Sequence, residues 1–203
     1  MLINKDTKIF CSFSSSPGNN GCTFFNAKFL ENNIDAIYKS FYSDDIIKSI
    51  NAVKTLKISG FAVSSPFKVE VIKHVDYIDE HVSNIGAANT IINDDGYLKA
   101  HNTDWIGILK YLMDLDPIEH LTILGNGGFS KAAQYVCKLE NIPYKIINRE
   151  NWDDISKLEG HVFNATPENV YTKGNLIDAR PFTSQGKIIA KLQAEEQYKL
   201  YVK

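Results

Sequence analysis

Apolar positions along the chain recur with a period that switches repeatedly between two and about 3.6, which predicts strands and helices in alternation. Lys8-Ile9-Phe10-Cys11 reads as a strand running into a Ser/Gly/Asn loop, Ser12 to Gly21. Thr23 is the expected cap of a first helix, with Phe25, Phe29 and Leu30 on one face and Asn32-Asn33 at its end. Ala36-Ile37-Tyr38 is a short strand. Ser43, followed by Asp44 and Asp45, starts a second helix, because acids in a first turn meet the positive end of the helix dipole. Its apolar stripe is Ile46, Ile47, Ile50, Val53 and Leu56, and Gly60 is expected to stop it. Phe61-Ala62-Val63 follows as a buried strand, and Pro66 stands where the next helix would begin. Thr90–Asn93 and Tyr97–Ala100 form a hairpin across Asp94-Asp95-Gly96.

A helix from Thr103 through Met113 bridges to a second unit. That unit opens with the strand Leu121–Leu124, a glycine loop and an alanine-rich helix. Tyr144–Ile147, His161–Phe163 and Leu176–Asp178 supply three more strands. The alternation implies a parallel α/β sheet with right-handed crossovers. Only 65 residues separate Leu121 from Gly186, about half of a full six-stranded dinucleotide fold. The last segment, Lys187 to Tyr201, is helical, with Ile188, Ile189, Leu192 and Tyr198 on its apolar side. The expected organisation is an N-terminal α/β domain with a mainly parallel sheet (1–104) and a linking helix (105–118). A reduced Rossmann-like dinucleotide-binding unit (119–185) and a C-terminal helix returning to the first domain (186–203) complete it.

The chain has 203 residues, 44 % of them hydrophobic and 23 % charged, with a formal net charge of −2. Such a chain buries a sizeable core and offers neither a basic footprint for nucleic acid nor a polybasic membrane patch. No apolar run reaches the roughly 18 residues of a membrane span, and Met1-Leu2-Ile3-Asn4-Lys5-Asp6 lacks the pattern of a secretory leader. Cys11, Cys22 and Cys137 form no CxxC pair and read as reduced thiols. The expected compartment is therefore the cytoplasm. The five histidines show no metal-ligand spacing, so no metal is expected.

Chemistry concentrates in polar residues that end apolar runs. Lys68 and Asp104 each have a plain reading, as solvated or dipole-favoured residues of a first helical turn. Asn89 has one as a hairpin residue making a local backbone bond. The chemical reading sets Lys68 and Asp104 across one pocket, where a carboxylate keeps a half-buried lysine charged and the pair exchanges a proton with a carbonyl or hydroxyl. In Leu124-Gly125-Asn126-Gly127-Gly128 the first two glycines fit GxGxxG and Ser130 takes the third slot. The loop follows a strand and opens a helix, as a pyrophosphate-binding turn requires. About 23 residues further on, Asn148-Arg149 stands where NAD-binding folds place an acid on the ribose. An arginine there suits a 2′-phosphate, while Glu150 opposes it.

Six short motifs follow one another along the chain. Ala62-Val63-Ser64-Ser65-Pro66-Phe67-Lys68 matches Asn-Val-Thr-x-Pro-x-Lys, and Gly86-Ala87-Ala88-Asn89-Thr90 matches Gly-Ala-x-Asn-Thr. Asn102-Thr103-Asp104-Trp105-Ile106-Gly107 matches Asn-Thr-Asp-x-x-Gly, and the run from Gly125 to Ala132 matches Gly-x-Gly-Gly-x-x-x-Ala. Asn164-Ala165-Thr166-Pro167 and Gln193-Ala194-Glu195-Glu196-Gln197-Tyr198 complete the set, and the six in this order resemble the shikimate dehydrogenase family. The resemblance implies Lys68 and Asp104 as the catalytic pair, holding and protonating the oxygen that becomes the alcohol. It implies Ser64, Asn89 and Gln193 on substrate hydroxyls and Ser12 and Ser14 on the substrate carboxylate. Gly125, Asn126, Gly127, Gly128, Phe129, Asn148, Arg149 and Thr166 would hold the cofactor, NADP or alternatively NAD. The partner implied is shikimate or 3-dehydroshikimate, without nucleic acid or membrane, and the protein would be a monomer or homodimer.

The departures from the family are specific. Ser16-Pro17-Gly18-Asn19-Asn20-Gly21 is closer to a divergent shikimate dehydrogenase-like branch, and Phe25-Asn26 stands where His-Asn is common. The stretches from Arg149 to Asn164 and from Asp178 to Gln193 are compressed. Asp178 is followed by Ala179-Arg180-Pro181 where a tyrosine is expected. Two other readings thus stand beside an NADP-dependent shikimate dehydrogenase: a non-catalytic protein that binds shikimate-like ligands, and an NAD-dependent dehydrogenase of quinate or a related ring acid.

Overall fold

The computed structural model describes residues 3–203; Met1 and Leu2, which open the stretch read above for a leader, lie outside the described residues. The strands in chain order are β1 (Lys8–Ser14), β2 (Ala36–Tyr42), β3 (Gly60–Val63), β4 (Tyr77–Ile78), β5 (Thr90–Asp94), β6 (Tyr97–His101), β7 (Leu121–Leu124), β8 (Tyr144–Ile147), β9 (His161–Asn164) and β10 (Asn175–Asp178). The α-helices are α1 (Asn20–Glu31), α2 (Ile46–Thr55), α3 (Glu80–Ile85), α4 (Asp104–Met113), α5 (Gly128–Leu139) and α6 (Ser184–Tyr201). The chain forms two compact units: residues up to Thr103 together with Ala194–Lys203, and Asp104–Gln193.

The first unit carries a six-stranded mixed sheet in the order β2-β1-β3-β5-β6-β4. The pairs β1/β2, β1/β3 and β4/β6 are parallel, whereas β3/β5 and β5/β6 are antiparallel. Strand side chains alternate between faces, so consecutive residues of β1 enter different cores. Cys11 and Phe13 pack with Phe61 and Val63 against Ile46, Ile50 and Val53 of α2. Phe10 points the other way, among Phe25 and Phe29 of α1 and Ala194 and Tyr201 of α6. The Phe10 and Tyr201 rings stack with centroids 4.4 Å apart. Full burial of such side chains stabilises by roughly 1.5–3 kcal/mol each, so the last turns of α6 are integral to this unit.

The second unit is a four-stranded, wholly parallel sheet in the order β10-β9-β7-β8. Every residue of β7 is buried, as a central parallel strand covered on both faces requires. Trp105 of α4 meets Tyr135 of α5 edge-on at 5.6 Å. Gly107 allows α4 and α6 to approach: a Cβ there would lie 2.8 Å from the Ile189 carbonyl oxygen and from the Gln193 Cβ.

Several sequence expectations are corrected. β1 continues through Ser14, placing Ser12 and Ser14 in a strand. α1 starts after Asn19, so Thr23 lies inside it, and Leu30 is 62 % exposed. α2 is capped by Asp45, whose carboxylate accepts from the Ile47 and Lys48 N–H groups, while the Ser43 hydroxyl bonds Ser49 and the Asp45 carbonyl. It ends at Thr55, and Lys57 takes the left-handed turn at φ 51°. Gly60 belongs to β3, and Ile47 and Leu56 face solvent. Pro66 begins turns and then a 3₁₀ segment, Val71–His74, not an α-helix. On α6, Ile189 is buried but Ile188 is half exposed. No helix among the described residues is long and apolar enough to cross a membrane.

Candidate functional site

In the first unit, strand ends gather the polar residues. The Ser12 hydroxyl donates to Ser40 on β2 at 3.1 Å, and the Cys22 thiol of α1 lies 3.3 Å from the same Ser40 hydroxyl. The Ser14 hydroxyl is buried and accepts from the Ser16 N–H at 3.0 Å. The Ser64 N–H donates to the Phe13 carbonyl between them, so Ser12, Ser14 and Ser64 lie toward one end of the central strands. Lys68 is half-buried in the turns after β3, and its carbonyl accepts from the Ala88 N–H at 2.8 Å, which ties it beside Asn89.

Asn89 is the hub of this unit's polar network. Its Oδ1 accepts from the Thr103 N–H at 2.8 Å and from the Thr90 hydroxyl at 2.9 Å, and its Nδ2 donates to the Thr103 hydroxyl at 3.0 Å. Asn89, Thr90 and Thr103 are all buried, so these bonds form away from competing water and fix the amide in one orientation. Asn102, next to Thr103, donates from Nδ2 to the Ala87 carbonyl. Each of these residues therefore holds the loop from Gly86 to Thr90 from the β6 side.

Sequence reasoning missed the partner of that clasp. The register Ile78↔Ala100 sets Asp79 beside His101, and the His101 Nδ1–H donates to the Asp79 carboxylate at 2.7 Å. Asp79 also caps α3 by accepting from the Val82 N–H at 2.8 Å. Burial raises the Asp79 pKa, but the His101 bond, the Val82 N–H and the imidazole charge outweigh it and hold the carboxyl below the ordinary aspartate range. Local spacing carries no sign of this pair, because β4, which aligns it, is only two residues long.

The second unit holds Asp104 and Gln193. Asp104 is buried at the start of α4, one turn before the Gly107 position against which Gln193 packs. Lys68 and Asp104 thus belong to different units.

The glycine loop follows β7. Gly125 has φ 98°, its N–H donates to the Ile147 carbonyl, and a Cβ there would lie 2.8 Å from the Thr166 Cγ2. Gly127 caps α5 without a side chain, and nothing lies within 4 Å of where its Cβ would be. The first-turn N–H groups of a twelve-residue helix, which point away from the helix's own carbonyls, and the open space at Gly127 suit an anion such as a pyrophosphate. Ser130, in the third glycine slot, is buried and donates to the Gly125 carbonyl at 2.7 Å, so a side chain there locks the loop. Asn126 is exposed within the loop, Gly128 opens α5, and Phe129 stacks on Phe163 at 5.9 Å. After β9, Thr166 donates through its N–H and hydroxyl to the Asn164 Oδ1. After β8, Asn148 caps a 3₁₀ segment through the Glu150 N–H, and Arg149 is exposed. Arg180, where the tyrosine is missing, bonds the Asp178 carboxylate and the Asn169 side-chain oxygen. That guanidinium outweighs the effect of burial and lowers the Asp178 pKa.

A mixed-sheet unit with polar residues at its strand ends, and a parallel-sheet unit with a glycine loop at its strand ends, define a two-domain α/β protein whose second unit is Rossmann-like. The sequence profile of the shikimate dehydrogenase substrate binding domain matches residues 12–91. Over 173 residues the chain is 35 % identical to a shikimate dehydrogenase-like protein of Haemophilus influenzae, a match covering 83 % of this chain and 64 % of that one. It is 34 % identical over 190 residues to a shikimate dehydrogenase (NADP(+)) of Aquifex aeolicus, covering 87 % of this chain and 68 % of that one. The solved structure of a shikimate 5-dehydrogenase-like protein superposes with a TM-score of 0.79 at 28 % identity, covering 98 % of this chain and 93 % of the other. The chain belongs to the shikimate dehydrogenase family. The matched stretch spans somewhat less than two thirds of the Haemophilus relative's length.

Proposed function

We propose that this protein interconverts 3-dehydroshikimate and shikimate with NADP(H). The observation that supports this most is the gathering of Ser12, Ser14, Ser64, Lys68 and Asn89 toward one end of the central strands of the first sheet, with the Asn89 amide already oriented by Thr90 and Thr103. Serine hydroxyls suit a carboxylate, and a fixed amide suits a ring hydroxyl. Lys68 holds the reacting oxygen and gives it a proton as the carbonyl becomes an alcohol, with Asp104 as its acid–base partner. Gln193 holds a further hydroxyl. NADP(H), when bound, supplies or takes the hydride. Gly125, Gly127 and Gly128 would cradle its pyrophosphate, with Asn126, Phe129 and Thr166 lining the approach and Asn148 and Arg149 on the ribose side.

A second reading is a ligand-binding protein without redox activity. It is favoured by the four-stranded second sheet and by Ala179-Arg180-Pro181 following Asp178 where the resemblance implies a tyrosine. Calorimetry separates the two. The dehydrogenase reading expects shikimate and NADP each to bind at or below millimolar concentration; shikimate binding with no NADP or NAD binding would favour the second, and no shikimate binding would overturn both.

A further inference from the structure

Strand register lays six residues across one face of the first sheet, joining Ser12, Ala62 and Thr90 of the motifs to Ser40, Asp79 and His101, which no motif contains. Ser40 pairs with Ser12, Ser12 with Ala62, Ala62 with Thr90, and Thr90 with His101, while Asp79 follows the strand beside His101. Directly opposed residues share a face, so hydroxyls and an imidazole form a continuous row interrupted only by an alanine. Ala62 is half-buried although its strand is central, which leaves the row open there. The His101 carbonyl also accepts the Asn89 N–H at 3.2 Å, and Thr90, opposite His101, bonds the Asn89 side chain.

The geometry points to His101, clasped by Asp79, as a positioning residue for Asn89 at the closed end of this row. The chain of cause is short. The Asp79 carboxylate fixes the imidazole, and with it the end of β6, to the N-terminus of α3. From that fixed strand end, the His101 carbonyl, Asn102 and Thr103 hold the α3–β5 loop at three points. Ligand groups facing the row then meet an amide that cannot turn. Asp79 is the charged group bonded to the imidazole, and the charge of His81 acts on the same carboxylate. The inference rests on the proposed function for its ligand, but not for its structural claim.

The test compares the wild-type chain with His101→Phe, His101→Asn and Asp79→Ser by amide hydrogen exchange and by shikimate calorimetry. His101→Phe removes the donor to Asp79, whereas asparagine at 101 retains one. The Asn89 amide is expected to exchange about tenfold faster in His101→Phe, with the Cys11 amide of central β1 unchanged and His101→Asn close to wild type. Shikimate affinity is expected to fall about tenfold in parallel. Equal Asn89 exchange in wild type and His101→Phe would overturn the inference. If His101→Phe does not fold, Asp79→Ser carries the comparison, because serine still caps α3 but is too short to accept from the imidazole; unchanged Asn89 exchange there is equally fatal. Failure of wild type to bind shikimate counts against the proposed function, while exchange still decides the positioning.

Discussion

Replacing Gly125 by alanine probes the loop on which any nucleotide chemistry depends, and its cost follows from two separate features. The backbone sits at φ 98°, where an L-residue is disfavoured; the left-handed region costs roughly 1–2 kcal/mol. The new methyl would lie 2.8 Å from the Thr166 Cγ2, against an optimum of about 3.5–4.0 Å for carbon pairs. Overpacking of that kind costs about 1–3 kcal/mol. Reduced freedom of the unfolded chain returns roughly 0.4–1 kcal/mol, leaving a net loss of about 1–4 kcal/mol. Thr166→Ser removes the clashing methyl yet keeps the hydroxyl that donates to Asn164 and accepts from the Glu168 N–H. The double variant should therefore recover the packing part and retain only the backbone part. Both tryptophans, Trp105 and Trp152, lie in the second unit, so their fluorescence during urea unfolding reports this unit. A double-mutant cycle should give a coupling of about 1–3 kcal/mol at constant m-value. Additive effects, within about 0.5 kcal/mol, would refute the contact between Gly125 and Thr166 as the source of the cost.

Asn89→Ala removes the acceptor of the buried Thr103 N–H and Thr90 hydroxyl and the donor to the Thr103 hydroxyl; denaturation should show a loss of about 2–4 kcal/mol, and a loss under about 1 kcal/mol would show that the network is not supporting the unit. Asp79 has a depressed folded-state pKa, so its contribution to stability is present above the unfolded value, about 3.9, and is lost as pH falls through the lower folded value. The stability gap between wild type and Asp79→Asn should accordingly shrink on acidification from pH 5 toward about pH 2; a gap that widens would reverse the sign of the argument. Burial lifts the Cys137 thiol to about 11, so alkylation at about pH 8 should spare it in the native protein and reach it only after unfolding. Rapid native labelling of Cys137, read by peptide mass spectrometry, would contradict its placement in the α5 core.

What the sequence showed and what it hid divides by range. The β5–β6 hairpin was readable because Asp95 and Gly96 adopt φ 49° and 95°, which is the turn chemistry their types favour. The strands of the second sheet were readable as short apolar runs between turns. Helix ends were less so: Lys57, not a glycine, makes the left-handed stop after α2, and the periodic Leu56 and Ile47 lie outside the buried stripe. The motif residues around Asn89 were visible as residues, but their mutual bonding depends on strand register. Nothing in local spacing pairs Asp79 with His101, twenty-two positions apart, because the parallel β4/β6 pairing that aligns them is a long-range choice of the fold.

The most direct measurement of the proposed function is absorbance at the nicotinamide band with shikimate and NADP or NAD. The dehydrogenase reading predicts steady formation of reduced cofactor by wild type. In Lys68→Ala the rate should fall by roughly 10²- to 10⁴-fold, as removal of an acid–base group entails, while shikimate binding largely survives. A folded, shikimate-binding wild type that reduces neither cofactor would contradict it, and an undiminished rate in Lys68→Ala would remove Lys68 from the chemistry.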